Sequence, residues 1–268
     1  VSGYSALDAL VTPNAGAVFV VLTPWEERSD PSLHASALID RIQPKLAQLT
    51  SAISFAFLPP PITGLGNAGG FEARLQDRQN AGPMQLEAIA SDLVFEGGQD
   101  PVLTRMNSNF RATVPQLYVE LDREKAKKLR IPLQNIFNTL QAYLGSAYVN
   151  DFNKFGRVYK VMLQADGPFR NDVGDIANLF VRDADGNMIP INTLLNVANT
   201  AGPQTIYRYN MFPCSSITGQ QNLGYSSGEA IAAVEGLADR LLPNAMSIEW
   251  TGVTYQQIKA GNQAPFIF

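Results

Sequence analysis

With 268 residues, 46% of them apolar and 16% charged, the chain can bury a sizeable core in one or two domains. Its 20 basic and 24 acidic residues leave a net charge of −4, which gives no electropositive footprint and argues against nucleic acid as a partner. The single cysteine, Cys214, has no internal partner for a disulfide and reads as a small buried thiol, which leaves the compartment open.

In chain order, Ala15 to Leu22 is an apolar, β-branched run that predicts a strand. Ser32 to Leu49 then spaces Leu33, Ala37, Ile39, Ile42, Leu46 and Leu49 near a helical period, with Pro44 kinking the helix. Ser51 to Leu58 alternates Ile53, Phe55 and Phe57 on one strand face, completing a βαβ unit. A second unit follows: strand Gly70 to Asp77, helix Pro83 to Phe95 ending before Gly97-Gly98, and strand Leu103 to Phe110. The third comes after a long interval: an extended run from Ile206 to Thr218, a serine-capped helix from Ser227 to Leu241, and a strand from Met246 to Thr251. Together the last two units predict an α+β fold, a ferredoxin-like split βαβ sandwich.

The interval between them, Pro115 to Pro203, reads as an inserted α+β domain. Asp122 caps a helix from Arg123 to Leu129, and Pro132 opens another to Tyr143. Asn150-Asp151-Phe152 marks re-entry into a sheet, Arg157 to Ala165 is a strand, and Asn171 to Ala177 is a helical turn. Leu179 to Arg182 and Met188 to Ile191 flank Asp185-Gly186, a two-residue hairpin signal that should project into solvent.

The residues that carry covalent chemistry are sparse. His34 is the sole histidine and has no Cys, Asp or Glu at metal-ligand spacing, which argues against zinc or a triad. Gly64-x-Gly66-x-x-Gly69-Gly70 precedes a strand, so it cannot present helix-terminal amides to a phosphate. Asp183-x-Asp185-Gly186-Asn187 opens like a calcium loop, but Thr193 and Leu194 stand where the closing glutamate belongs. The six methionines are scattered and read as core filling. The expectation is a non-enzyme without metal or cofactor. Phe55 and Phe57, followed by three prolines and the glycine-rich run Thr63 to Gly70, fit either core or the wall of an apolar cleft. No apolar run reaches the length of a membrane span and no signal peptide is visible. The start at Val1 and the apolar Pro265-Phe266-Ile267-Phe268 suggest a piece of a longer chain.

Several strings then converge on one family: Phe55-Ala56-Phe57 with its Pro/Gly loop, Pro115-Gln116 with Asp122 and Glu124-Lys125-Ala126, Tyr148-Val149-Asn150-Asp151-Phe152, Gly156-Arg157-Val158, Ala184-Asp185-Gly186, Arg208-Tyr209-Asn210, Ser227-Gly228-Glu229-Ala230, Trp250-Thr251-Gly252 and Gly261-Asn262-Gln263-Ala264-Pro265. The chain resembles the second periplasmic half of a resistance-nodulation-division (RND) multidrug efflux pump of the hydrophobe/amphiphile type. That resemblance implies four parts. Residues 1–64 would be the later half of a truncated porter subdomain with a switch loop, and 65–114 plus 203–254 a complete ferredoxin-like porter subdomain. Residues 115–202 would be an inserted docking subdomain, and 255–268 a connector to the next transmembrane helix.

The resemblance also implies roles. Phe19, Phe55, Phe57, Pro60, Asn67, Glu72, Asn107, Asn109 and Ser216 would line the substrate pocket, Val1, Gly3, Tyr4 and Ala6 would belong to the switch loop, and Asp185, Gly186 and Asn187 would form the docking tip. Asn107 and Ser216 stand where better-known pumps carry Arg and Glu, which suggests a less polar cleft. The implied function is a portion of a proton-driven, homotrimeric exporter at the periplasmic face of the Gram-negative inner membrane. It would bind lipophilic drugs and amphiphiles and work with a periplasmic adaptor and an outer-membrane channel, its proton-coupling residues lying in membrane segments elsewhere. Two alternatives stay open: an exporter of the same superfamily for heavy metals or other substrates, and an assembly module without a substrate site of its own.

Overall fold

The computed structural model describes residues 1–6, 10–59 and 69–261. Two compact units divide it, Val1–Val114 with Pro203–Phe268, and Pro115–Gly202.

The first unit opens with β1 (Ser2–Ser5) and β2 (Leu10–Gly16), an antiparallel pair whose register slips at Gly3, where φ is +71°. Beyond Gly16 the chain is irregular. The strand expected over Ala15 to Leu22 does not form, and Val18 and Val21 stand 87% and 94% exposed. Ser51 to Leu58 is likewise irregular, so the first expected βαβ unit reduces to its helix. β-branching favours an extended backbone, but a strand is held by ladder hydrogen bonds to a neighbour: Ala15 and Gly16 end β2 and Ala17 still bonds Val1, whereas residues 18–22 and 51–57 pair with no strand among the described residues. The helix, α1 (Ala35–Leu46), follows a short turn in which Asp30 accepts from the Ser32 amide at 2.8 Å. Pro44 sits in its last turn, and the helix ends two residues later.

β3 (Phe71–Asp77), α2 (Pro83–Gln99) and β4 (Leu103–Ser108) follow. Contrary to expectation, α2 runs through Gly97 and Gly98. A Cβ at position 97 would lie 2.9 Å from Met106 Cε, so this glycine accommodates a neighbouring side chain and does not end the helix.

The second unit begins with β5 (Val114–Leu121) and α3 (Arg123–Lys128), which Asp122 caps by accepting from the Lys125 amide at 2.9 Å. α4 (Leu133–Leu140) continues as a wider π turn to Gly145. β6 (Ala147–Lys154) and β7 (Arg157–Leu163) form an exposed antiparallel ribbon, β8 (Phe180–Arg182) and β9 (Met188–Pro190) a short hairpin, and β10 (Leu195–Gly202) pairs with β5. Ala126, Ile131, Ile136, Ile176, Val181 and Ile191 supply its small core.

Back in the first unit come β11 (Tyr207–Tyr209), β12 (Phe212–Gln221), α5 (Ser227–Leu241), β13 (Met246–Trp250) and α6 (Gly252–Gly261). The extended run expected from Ile206 to Thr218 is broken by Asn210 and Met211, both at positive φ (49° and 73°), into the β11–β12 hairpin. α6 carries the chain as helix past residue 255, where a connector was expected.

β4, β12, β3 and β13 hydrogen-bond in that order, every pair antiparallel. With α2 and α5 as the crossovers, this is the ferredoxin-like order, second, third, first, fourth. Both helices pack on one face. Leu86, Ala90 and Leu93 of α2 and Ala230, Val234 and Leu237 of α5 close over Phe71, Leu75 and Ile217 of the sheet. Burying a leucine in such a cluster contributes roughly 2 kcal/mol. The fold is α+β, as the alternation of elements predicts.

Candidate functional site

Strand alternation decides what the other face of the sheet carries. With Phe71, Ala73 and Leu75 turned toward the helices, Glu72, Arg74 and Gln76 point the opposite way. Register adds their neighbours: Ser216 lies opposite Arg74, and Thr218 lies between Glu72 on one side and Asn107 on the other. Glu72 Oε1 accepts from Arg74 Nη2 at 2.6 Å and from the Ser216 hydroxyl at 3.2 Å. The Ser216 amide donates to Asn109 Oδ1 at 3.0 Å, and the Asn109 amide donates to the Ser216 carbonyl at 3.3 Å. Four expected site residues, Glu72, Asn107, Asn109 and Ser216, therefore meet on one polar patch.

Asn107 and Ser216 are uncharged, but the patch carries charges from other positions. Arg74, Arg78 and Arg105, none singled out in the sequence, each pair with a carboxylate: Arg74 with Glu72, Arg78 with Glu249 at 2.6 Å, and Arg105 with Asp40 of α1. The charge survives, neutralised within the chain. The signal was present in the alternation of Phe71-Glu72-Ala73-Arg74-Leu75-Gln76, which puts one acid and one base on the same strand face.

The aromatics form a second group. Phe55 and Phe57 hold their ring centroids 6.0 Å apart at a 37° tilt, and Phe55 is 40% exposed. The intervening Ala56 amide donates to Gln43 Oε1 of α1 at 3.0 Å, which holds the segment beside the helix without a strand ladder. Between them lies an open depression of about 520 Å³, lined by Gln43, Leu46, Leu49, Ile53 and Phe55 among others. Two further bonds tie it to the sheet: the Gly69 amide donates to the Leu58 carbonyl at 3.0 Å, and Gln220 of β12 donates to the Gly69 carbonyl at 3.1 Å.

The remaining expected residues lie elsewhere. Phe19 is 70% exposed in the irregular segment after β2, outside both groups. Pro60 and Asn67 lie outside the described residues. Of the switch-loop residues, Gly3 and Tyr4 are in β1, a strand and not a loop, while Val1 exchanges backbone hydrogen bonds with Ala17 and Ala6 follows the strand in a turn.

The Asp185–Asn187 segment also departs from expectation. Arg182 pairs with Met188, and the Asp183 amide bonds the Asn187 carbonyl at 3.0 Å, so three residues make the turn instead of two, with Gly186 at φ +89°. The Asp183 carboxylate accepts from the Asn187 side chain and from the Asp185 and Asn187 amides, contacts that hold it below the usual carboxylate range. The turn is exposed to solvent over residues 184–188, as expected, and is tied at its base. The Ala184 amide bonds the Arg130 carbonyl at 3.1 Å, and the Arg130 guanidinium pairs with Asp185. Cys214 is buried in β12, and burial pushes its thiol pKa up. Among the described residues no cluster of three His, Cys, Asp or Glu could hold a metal, and no helix is long and apolar enough to cross a membrane.

The ferredoxin-like scaffold thus presents two features, Phe55 at an open depression and a sheet face of internally paired charges. A sequence profile of the AcrB/AcrD/AcrF family matches residues 1–268, and the chain belongs to that family. It is similar to the multidrug export protein AcrF of Escherichia coli, 38% identical over 253 residues. It is also similar to the toluene efflux pump membrane transporter TtgB of Pseudomonas putida, 35% over 255 residues, and to the multidrug resistance protein MdtF of Escherichia coli, 34% over 256 residues. These alignments take in 94–95% of this chain and 24–25% of each relative, so the chain spans about a quarter of the length of the curated relatives it matches. The resemblance to RND multidrug efflux transporters seen in the motifs is thereby confirmed.

Proposed function

We propose that the chain is the periplasmic drug-contacting and docking portion of a proton-driven RND exporter of lipophilic and amphiphilic compounds. The first unit supplies drug contact, and Pro115–Gly202 faces partner proteins, a periplasmic adaptor and an outer-membrane channel, within a homotrimeric pump. It performs no covalent chemistry: ligand is held by apolar and hydrogen-bonding contact and passed on. The observation that carries this reading is Phe55, 40% exposed, lining the open depression and packed on the more buried Phe57, in a chain whose relatives are named for multidrug and toluene efflux.

Burying about 100 Å² of ligand on these rings contributes roughly 2.5 kcal/mol, and a few such patches reach micromolar affinity, tight enough to select and weak enough to release. Titrating the chain with a lipophilic fluorescent dye tests it. Phe57→Ala should weaken binding by roughly tenfold, the loss of about half of one buried aromatic face. Dye affinity unchanged by Phe57→Ala would overturn the assignment.

A further inference from the structure

Arg105 is held in an unusual way. β4 carries one residue more than β12 across their pairing, since Thr218 faces Asn107 while Gln220 faces Thr104, and within that bulge Arg105 takes φ +54°. A bulge re-aims a side chain out of the strand's alternation, and a left-handed arginine persists only where its surroundings fix it. Here they do: Nη1 donates to Gln220 Oε1 at 2.9 Å, and Nη2 pairs with Asp40.

Asp40, Gln43 and Ala47 share one face of α1, and Gln43 and Ala47 line the open depression. Asp40, which holds the guanidinium, therefore stands about one turn of α1 from a groove of mixed lining, in which Leu46, Leu49, Ile53 and Phe55 supply the apolar side and Gln43, Thr50, Ser51 and Ser54 the polar one. The Arg105 side chain is 23% exposed, whereas its carboxylate partner is 58% exposed. The cation is fixed by the fold, and the anion that neutralises it is a solvated group that another anion can replace.

Resting on the function proposed above, we propose that Arg105 is a headgroup site for anionic amphiphiles. The alkyl chain lies in the groove between α1 and Phe55, and the ligand carboxylate takes the place of Asp40 on the guanidinium. Arg105 and Asp40 then have opposite roles, receptor and internal competitor, which a purely structural ion pair would not give them.

The test uses the whole chain with decanoate and, as the uncharged control, decyl maltoside, both below micelle formation, by calorimetric titration. Asp40→Asn should tighten decanoate binding about two- to fivefold by removing the competitor. Arg105→Gln should weaken it by about tenfold, the scale of one hydrogen-bonded charge pair. Arg105→Lys should fall between, because it keeps the charge and loses the fork. Decyl maltoside affinity should move by less than about twofold in all three, since its headgroup meets neither charge. Circular dichroism confirms that each variant is folded, and Arg105→Lys with Asp40→Asn carries the test if Arg105→Gln is not. Shifts of the same sign in the Asp40 and Arg105 variants, or equal shifts for both ligands, would overturn the headgroup site while leaving ligand contact in the groove intact. Absence of binding by either amphiphile would overturn it together with the function on which it rests.

Discussion

Met106 shows how much single residues can decide. Its thioether is boxed in by two glycines: a Cβ at Gly97 would meet Met106 Cε at 2.9 Å, and one at Gly219 would meet Met106 Sδ at 2.7 Å and Phe71 Cζ at 2.5 Å. Gly98, the next residue of α2, faces open space. The two neighbours should respond oppositely to the same substitution. Gly98→Ala should stabilise the chain by about 0.5–1 kcal/mol, the helix-propensity difference with nothing to oppose it. Gly97→Ala gains the same propensity but must displace Met106, and overpacking of about 1–3 kcal/mol outweighs it. Denaturant unfolding of the two variants checks the pair. In the sequence both glycines carry one meaning, the end of a helix, because what distinguishes them is a side chain in another element.

At the scale of elements, α5 is specified locally. Ser226 Oγ accepts from the Glu229 amide at 3.2 Å, and Glu229 Oε2 accepts from the Ser226 amide and hydroxyl at 2.8 Å, a reciprocal capping box. The backbone bond from Ser226, then its side-chain bond, holds the Glu229 carboxyl below its ordinary value of 4.5. The sign follows: a depressed carboxylate stabilises the fold fully above its unfolded pKa and loses that contribution as pH falls through the lower folded one. Glu229→Gln should therefore melt below the wild type at neutral pH, with the two melting curves converging as the solution is acidified below about pH 4. A gap that stays constant with pH would show that the charge plays no part.

Elements with caps and a clear apolar period, β3, α2, β4, α5 and β13, were legible for that reason, and so was the α+β order they build. The failures share a cause. Ala15 to Leu22 and Ser51 to Leu58 have strand composition, but strand pairing is a property of two segments, and beyond Ala17 in the first and before Leu58 in the second no strand pairs with them among the described residues. The Asn210-Met211 turn was missed because only Asn-Gly-like pairs advertise positive φ. In the candidate site, Glu72, Asn107, Asn109 and Ser216 were named from resemblance and share the polar sheet patch. Arg105 was missed because its direction depends on a bulge, which leaves no mark in the alternation of residues.

For the whole molecule, the reading is a division of labour between two units with separate cores. The first combines an open depression of mixed apolar and polar lining with a polar sheet face, linked through Gln220 and Gly69. The second offers an exposed ribbon, β6–β7, and a short hairpin tied to Arg130. Amphiphile contact should accordingly be confined to one of them. Hydrogen–deuterium exchange of the whole chain with and without saturating decyl maltoside measures this directly. The account predicts slowed exchange in α1 and the segment through Phe57, with smaller protection in β3, β4 and β12, and unchanged exchange throughout Pro115–Gly202. Protection concentrated in Pro115–Gly202, or absent from α1 and Phe55–Phe57 at saturation, would contradict it.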